Sequence, residues 1–270
     1  MTTVIKFGGE LLEEPVRVAA LAGVLAAAAA RARLAVVHGG GREIDAALKR
    51  AGLAKRQVDG IRITDAATRD VVVEVLAGAV NTRLVAAICA AGGRAVGLTG
   101  ADAAIVPVEK APPHVTVDGR TVDLELVGRP AGTGAPALLT DLLAGGYVPV
   151  ICSIAASADG TLYNVNADTM AGHLAARLDA GRLVIAGATA GVLDESGRTI
   201  AELDREAAER LIASGVASAG MVAKLRACRE ALDAGVQEVV LVDGREPAAI
   251  AAALDSRDAA GSLPATRMVA

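Results

Sequence analysis

The chain has 270 residues, with 27 Lys and Arg against 31 Asp and Glu and a formal net charge of −4. That length allows two modest lobes or one large α/β domain with ample surface to bury a core. Balanced, interspersed charge and only 1% aromatic residues argue against a nucleic-acid-binding surface, while 53% hydrophobic residues call for a core of Ala, Val, Leu and Ile in helix-on-sheet layers.

The start "MTTVIKFGGE" has no signal-peptide layout. Thr3–Phe7 reads as a buried strand ending in Lys6 and the pair Gly8-Gly9. Lysine is almost never fully buried unless paired, and the plain alternative is a strand-end lysine reaching solvent beside a turn. A helix follows over 16–32. Its apolar run, Val18–Ala30, has 13 residues closed by Arg31 and Arg33, too short to span a bilayer. The strand Leu34–His38 then runs into Gly39-Gly40-Gly41 and a helix over 42–51. Bare N–H groups at a helix N-terminus, reinforced by its dipole, suit an anion. The known phosphate fingerprints fail here: there is no GxxxxGK[ST], and GxGxxG read from Gly39 meets Ile44 where its third glycine belongs.

The helix over 65–91 carries Val71, Val72, Val73, Val75, Leu76, Val80, Leu84, Val85 and Ile88. A helix apolar most of the way round is buried on most sides. Arg94–Leu98 is the next strand. "HVTVDGRTVDLEL" alternates around Asp118-Gly119, a hairpin signal. A helix over 134–145, the strand Tyr147–Ile151 and a helix over 168–180 follow. Ahead of that last helix, "LYNVNADTM" alternates Asn164, Asn166 and Asp168. Asp168 is a candidate N-cap, and the two asparagines present amide groups on one side of the extended segment. The strand Arg182–Gly187 leads to helices over 204–213 and 222–234. Lys224 stands in the first turn of the latter, where the dipole disfavours a cation and so hints at an anionic partner. Glu238–Val242 and a helix over 246–254 close the pattern.

Strand and helix in alternation predict a mainly parallel sheet covered on both faces, with ligands outside the carboxyl ends of its strands. Cys89, Cys152, Cys228 and the three histidines are scattered without a CxxC pair, so no zinc site, disulfide framework or metal cluster is expected. Two lysines and two glycine-rich loops suit phosphoryl transfer, which needs positioning and charge neutralisation rather than covalent help.

In order and spacing these motifs resemble the amino acid kinase family. The resemblance rests on "KFGG", "VVHGGGREID", "GIRITDAATRDVVVEVLAGAVN", "RAVGLTGAD", "GYVPVICSIAASADGTLYNVNADTMA", "GMVAKLRACREAL" and "GSLPATRMV", and covers essentially the whole chain. It implies an open αβα sandwich. Residues 1–178 would form an acyl-substrate and dimerisation lobe, and 179–270 a nucleotide lobe, with no low-complexity linker between them. It implies transfer of the γ-phosphoryl of ATP, carried with Mg2+, to the side-chain carboxylate of N-acetyl-L-glutamate in arginine synthesis. Lys6 and Lys224 would neutralise the moving group, Asp168 would orient both, and Gly8, Gly9, Gly40 and Gly41 would offer N–H groups. Arg62 would grip the substrate α-carboxylate with Asn164 and Asn166 beside it. Ala188, Gly191, Leu193, Ser218 and Lys224 would meet the nucleotide. No metal ligand from the protein is implied, because the ion is held mainly by the nucleotide phosphates.

This chain departs from the family pattern at Ala188, where Asp is usual, at Ala219 and at Ala155. Two alternatives follow: a kinase of acetylated aminoadipate, against which Asn166-Ala167 speaks, and a degenerate kinase used as a binding or sensing module. The family precedent also implies a cytoplasmic homodimer built on the helix over 65–91. It implies no membrane partner, and any signal-protein regulator stays unknown. Arginine-inhibited members carry a helix ahead of the first strand. With that strand starting near Thr3, the expectation is a dimer insensitive to arginine.

Overall fold

A computed structural model describes residues 1–116, 118–194, 196–213, 219–255 and 264–269. The β-branched runs form one eight-stranded sheet. Its strands are β1 (Thr2–Phe7), β2 (Arg33–His38), β3 (Ala95–Thr99), β4 (Val148–Cys152), β5 (Arg182–Gly187), β6 (Glu202–Leu203), β7 (Glu238–Asp243) and β8 (Ala265–Val269). Their order is β6-β8-β7-β5-β1-β2-β4-β3. From β7 to β3 the pairs are parallel, and β8 joins β7 antiparallel. All six strands expected from the sequence are in it. The two unexpected ones, β6 and β8, extend one edge.

The Ala-rich stretches are α1 (Pro15–Ala29), α2 (Gly41–Arg50), α3 (Ala66–Ala90), α4 (Ala137–Ala144), α5 (Ala167–Arg177), α6 (Arg205–Ala213), α7 (Ala219–Asp233) and α8 (Pro247–Leu254). Pro15 and Pro247 open their helices, where the fixed φ is already helical and no N–H is missed. The Asp65 side chain caps α3 by accepting from Thr68 N at 2.8 Å. Within α3, Glu74–Val80 winds as a π-helix.

Strand alternation divides the core into two layers. Ile5, Phe7, Val36, Val184 and Val240 face α1, α3 and α8. Val4, Val37, Ile185 and Leu241 face α4, α5 and α7. Each layer draws on both halves of the chain, and the boundary expected at 178/179 falls in the turn between α5 and β5. The helix α3 is long and apolar enough to cross a membrane. Here its Val72, Leu76, Val80, Leu84 and Ile88 are buried against the sheet, so one face of it completes the core.

A second, four-stranded sheet, not expected from the sequence, joins Val108–Lys110, Val127–Pro130, Ile154–Ala156 and Leu162–Val165. The expected hairpin is present as His114–Val115 paired antiparallel with Thr121–Val122. From the centre of the main sheet the chain runs to β2 on one side of β1 and from β5 to β7 on the other. That reversal opens a crevice at the carboxyl ends of β1 and β5, where ligands bind in such sheets.

Candidate active site

Two glycine loops meet in the crevice. Gly8 N–H donates to Ala186 O at 3.1 Å and Gly39 N–H to Phe7 O at 3.2 Å, so each loop is tied to a neighbouring strand. A Cβ on Gly9 would stand 2.5 Å from Gly40 Cα and 2.6 Å from Gly41 N. Only a bare backbone lets the loops approach so closely. A Cβ on Gly40 would stand 2.7 Å from Leu76 Cδ2 on α3, whereas at Gly41 it would meet nothing within 4 Å. The glycine run therefore serves two ends: close packing at Gly40 and open space above Gly41 at the start of α2.

Lys6 lies on the face of β1 that looks toward α5. Its Nζ is 2.8 Å from Asp168 Oδ1, and both residues are buried. That oxygen accepts no well-aligned hydrogen bond, so the contact is an ion pair without a directional bond. On the other side, Lys224 Nζ lies 2.9 Å from the point where a Cβ on Gly187 would stand, at the carboxyl end of β5. Cys228, one turn beyond Lys224, is fully buried. Burial pushes its thiol far up and the Asp168 charge adds to this, while Lys224 and Lys6 pull it down. Of the two lysines expected to be oriented by Asp168, Lys6 meets it directly, while among the described residues no ion pair joins Asp168 to Lys224.

Arg62 stands across the α2 start. Its Nη2 donates to Asp45 Oδ1 at 2.6 Å and reaches Gly41 O at 3.4 Å, while its Nη1 is buried with no partner. Burial pushes the Asp45 carboxyl up, but hydrogen bonds from Lys55 and Arg62 outweigh this and hold it below the ordinary carboxylate range. Asn164 Nδ2 donates to Thr64 Oγ1 at 3.2 Å, which places it two residues from Arg62. Asn166 behaves otherwise. It, and not Asp168, is the N-cap of α5: its Oδ1 accepts from Asp168 N at 2.9 Å and Thr169 N at 3.0 Å. Its carbonyl is thus taken by the helix.

Among the residues expected to meet the nucleotide, Ala188 follows β5 and is exposed. Gly191 adopts φ +111°, and a Cβ there would stand 2.5 Å from Thr266 Oγ1. Its bare α-carbon is used by β8. Leu193 is 40% exposed, a large apolar side chain left in the open. Ser218 lies outside the described residues. Among the described residues no cluster of three His, Cys, Asp or Glu could hold a metal by itself.

The residues missed in the sequence are those whose role depends on the fold. The Glu10 carboxylate folds over the Gly8 α-carbon. Asp45 fixes Arg62, and it stood in plain view in "GREID". His38 meets Asn81, 43 positions away, with Nε2 3.0 Å from Asn81 Nδ2. Burial holds His38 down to about 4, against a small raise from Gly39.

A model of the amino acid kinase family matches residues 1–243. The acetylglutamate kinase of Sphingopyxis alaskensis is 41% identical over 268 residues, 97% of this chain and 88% of that protein. The acetylglutamate kinase of Afipia carboxidovorans is also 41% identical over 268 residues, covering 97% of this chain and 90% of that protein. The solved N-acetylglutamate synthase of Neisseria gonorrhoeae, complexed with coenzyme A and N-acetyl-glutamate, matches with a TM-score of 0.81 at 24% identity. The match covers 100% of this chain but 59% of that one. Carbamate kinase of Giardia lamblia bound to AMP-PNP matches at 0.69 and 16% identity, over 99% of this chain and 98% of that one. At such identities the two structures show the fold alone.

Proposed function

The chain belongs to the amino acid kinase family, and from that premise we propose that it transfers the γ-phosphoryl group of MgATP to the side-chain carboxylate of N-acetyl-L-glutamate, yielding N-acetyl-L-glutamyl 5-phosphate for arginine biosynthesis. The observation that carries the substrate assignment is the buried, unpartnered Nη1 of Arg62. A buried donor without an acceptor is costly, and the α-carboxylate of an N-acylated amino acid supplies that acceptor. The identity of 41% with relatives named for this activity supports the same reading.

The attacking group is a carboxylate, which has no proton to lose, so the reaction needs no general base. It needs the γ-phosphoryl held in line and its charge neutralised. Lys6 does this from the β1 side and Lys224 from the β5 side. Asp168 fixes Lys6 and takes no proton. Gly8, Gly9, Gly40 and Gly41 offer N–H groups to the transferring oxygens and the acyl substrate. Asn164 stands beside Arg62 at the α-carboxylate, and Asn166 contributes through its cap. Ala188, Gly191, Leu193 and Ser218 line the nucleotide approach. Mg2+ enters with the phosphates as part of the substrate. Residues 1–178 act as the acyl-substrate lobe and 179–270 as the nucleotide lobe of a cytoplasmic homodimer.

A coupled ADP-release assay against N-acetylglutamate, glutamate and N-acetylaminoadipate tests this. Turnover is expected with N-acetylglutamate. Preference for N-acetylaminoadipate would move the enzyme to the lysine route, and no turnover with any would leave a binding module.

A further inference from the structure

We propose that His38 and Asn81 are positioning residues that turn the Gly39–Gly40 peptide so that the Gly40 N–H faces the phosphoryl crevice. The proposal rests on the kinase reading above, and it begins from a buried ring with a defined tautomer. His38 is 0% exposed, on the α3 face of β2. Its Nδ1 lies 3.1 Å from Gly39 O. A carbonyl can only accept, so Nδ1 carries the proton. Nε2 is then an acceptor and takes a hydrogen bond from Asn81 Nδ2 at 3.0 Å. The amide has a second N–H, and it goes to Val150 O on β4 at 2.9 Å. The Asn81 Oδ1 lies over Gly97 of β3, inside the space any side chain there would need. The carboxamide is thus held between β2, β3 and β4, and its orientation selects the histidine tautomer.

The consequence follows from peptide geometry. In a trans peptide the C=O of one residue and the N–H of the next point in opposite directions. Gly39 O is drawn toward the imidazole, into the α3 layer. Gly40 N–H therefore points the other way, toward the layer that holds Lys6 and Asp168. Two observations agree. A Cβ on Gly39 would stand 3.5 Å from Ala167 Cβ, the residue before Asp168. Gly40 O is used by Ile44 N at 2.9 Å inside α2, while among the described residues no acceptor takes the Gly40 N–H. An aimed, unused donor is what a developing phosphoryl or carboxyl charge requires. The π-helical turn Glu74–Val80 ends one residue before Asn81 and carries Leu76 to Gly40, so one segment of α3 sets both contacts.

The experiment uses two isosteres of His38 that divide its roles. His38→Asn keeps a donor near the Nδ1 position for Gly39 O and loses Asn81. His38→Gln keeps an acceptor near the Nε2 position for Asn81 and loses the donor to Gly39 O. Positioning predicts that H38N keeps kcat within about tenfold of wild type, while H38Q loses on the order of a hundredfold at an equal or higher melting temperature. Turnover that follows melting temperature, or H38Q matching H38N, would overturn the proposal. A second measurement needs no variant. Nitrogen-15 NMR on the wild-type protein, which has three histidines, is expected to show His38 with its proton on Nδ1, and a proton on Nε2 would overturn it equally. Wild-type protein inactive on N-acetylglutamate would instead defeat the kinase reading, while the tautomer would still be read independently.

Discussion

Lys6 and Asp168 bury opposite charges 2.8 Å apart, so removing either strands the other. Leaving one partner of a buried pair alone costs about 3–5 kcal/mol. Lys6→Ala is therefore expected to lower both turnover and melting temperature, with Asp168→Asn in the same chain restoring the second and not the first. Lys224 has no carboxylate partner among the described residues, so Lys224→Ala should cost turnover at little cost in stability. Each lysine is expected to be worth about 10²–10³ in kcat, with smaller changes in KM, because its charge meets the transferring group; near-normal turnover in either variant would remove its role. Arg62→Lys should raise the KM for N-acetylglutamate well above any change for ATP, since one ammonium cannot serve Asp45 and a substrate carboxylate together. Equal changes for both substrates would make Arg62 scaffolding. His38 titrates near 4 when folded against 6.5 when unfolded. Below pH 6.5 the unfolded chain binds a proton that the native one refuses, so stability falls as pH drops from about 6.5 toward 4, by about 2 kcal/mol at pH 5. Urea unfolding at pH 7.5 and pH 5 measures this, and His38→Asn should flatten the slope. Lys6, Asp168 and Arg62 stood out because each sits in a short motif beside glycines or a helix start; Lys224, expected in the first turn of its helix, stands in the second, because α7 already begins at Ala219. The His38–Asn81 contact did not stand out, since 43 positions separate its members and nothing local marks Asn81. The cap on α5 was placed two residues late, at Asp168 instead of Asn166, because alternating Asn164, Asn166 and Asp168 all carry side chains able to cap.

Among the elements, the glycine loops give a graded test. A methyl on Gly9 would strike the backbone of Gly40 and Gly41, which has nowhere to go. On Gly40 it would press on the end of the Leu76 side chain, buried but able to shift. On Gly41 it would enter open space. Loss of stability should fall in the order Gly9→Ala, Gly40→Ala, Gly41→Ala. The middle member should cost about 1–3 kcal/mol as an overpacked site, partly relieved by adding Leu76→Ala. Gly41→Ala should melt like wild type and show its effect in substrate KM. Melting curves on the three variants decide it, and equal losses would mean that the loops do not pack as described. The main strands and all the helices were legible because β-branched runs alternate with Ala-rich stretches, and the two periods are distinct. The four-stranded second sheet was not, since its members are only three or four residues long. The π-helical turn in α3 was invisible for another reason. It shifts the helical phase by one residue, and in a helix apolar nearly all round that shift leaves no mark on the pattern.

At the scale of the molecule, the two halves share one sheet, with β1 of the first paired to β5 of the second through five residue pairs. The alternation of strand and helix already predicted one mainly parallel sheet. Which strands pair across the two halves is not local information, because parallel register is set by contacts far apart in sequence. The same distance hides the assembly. The inner face of α3 is buried by its own chain, yet Gly78, Ala79, Thr82, Ala86 and Cys89 remain exposed on its other side. That strip consists of small, uncharged side chains on a helix whose opposite face already completes the core, and a helix so composed is ordinarily covered on most sides. A second copy of the chain laid across this strip would cover it symmetrically, the commonest closed arrangement for a homo-oligomer. Light scattering is expected to give twice the chain mass. Ala86→Glu would place two carboxylates against each other across the axis and should yield a monomer with an intact fold by circular dichroism. A wild-type monomer would remove the dimer, and a dimer indifferent to Ala86→Glu would place its interface elsewhere. Because α3 also carries Asn81 and Leu76, which meet His38 and Gly40, a monomeric variant with lowered kcat and unchanged melting would tie dimer formation to the geometry of the glycine loop.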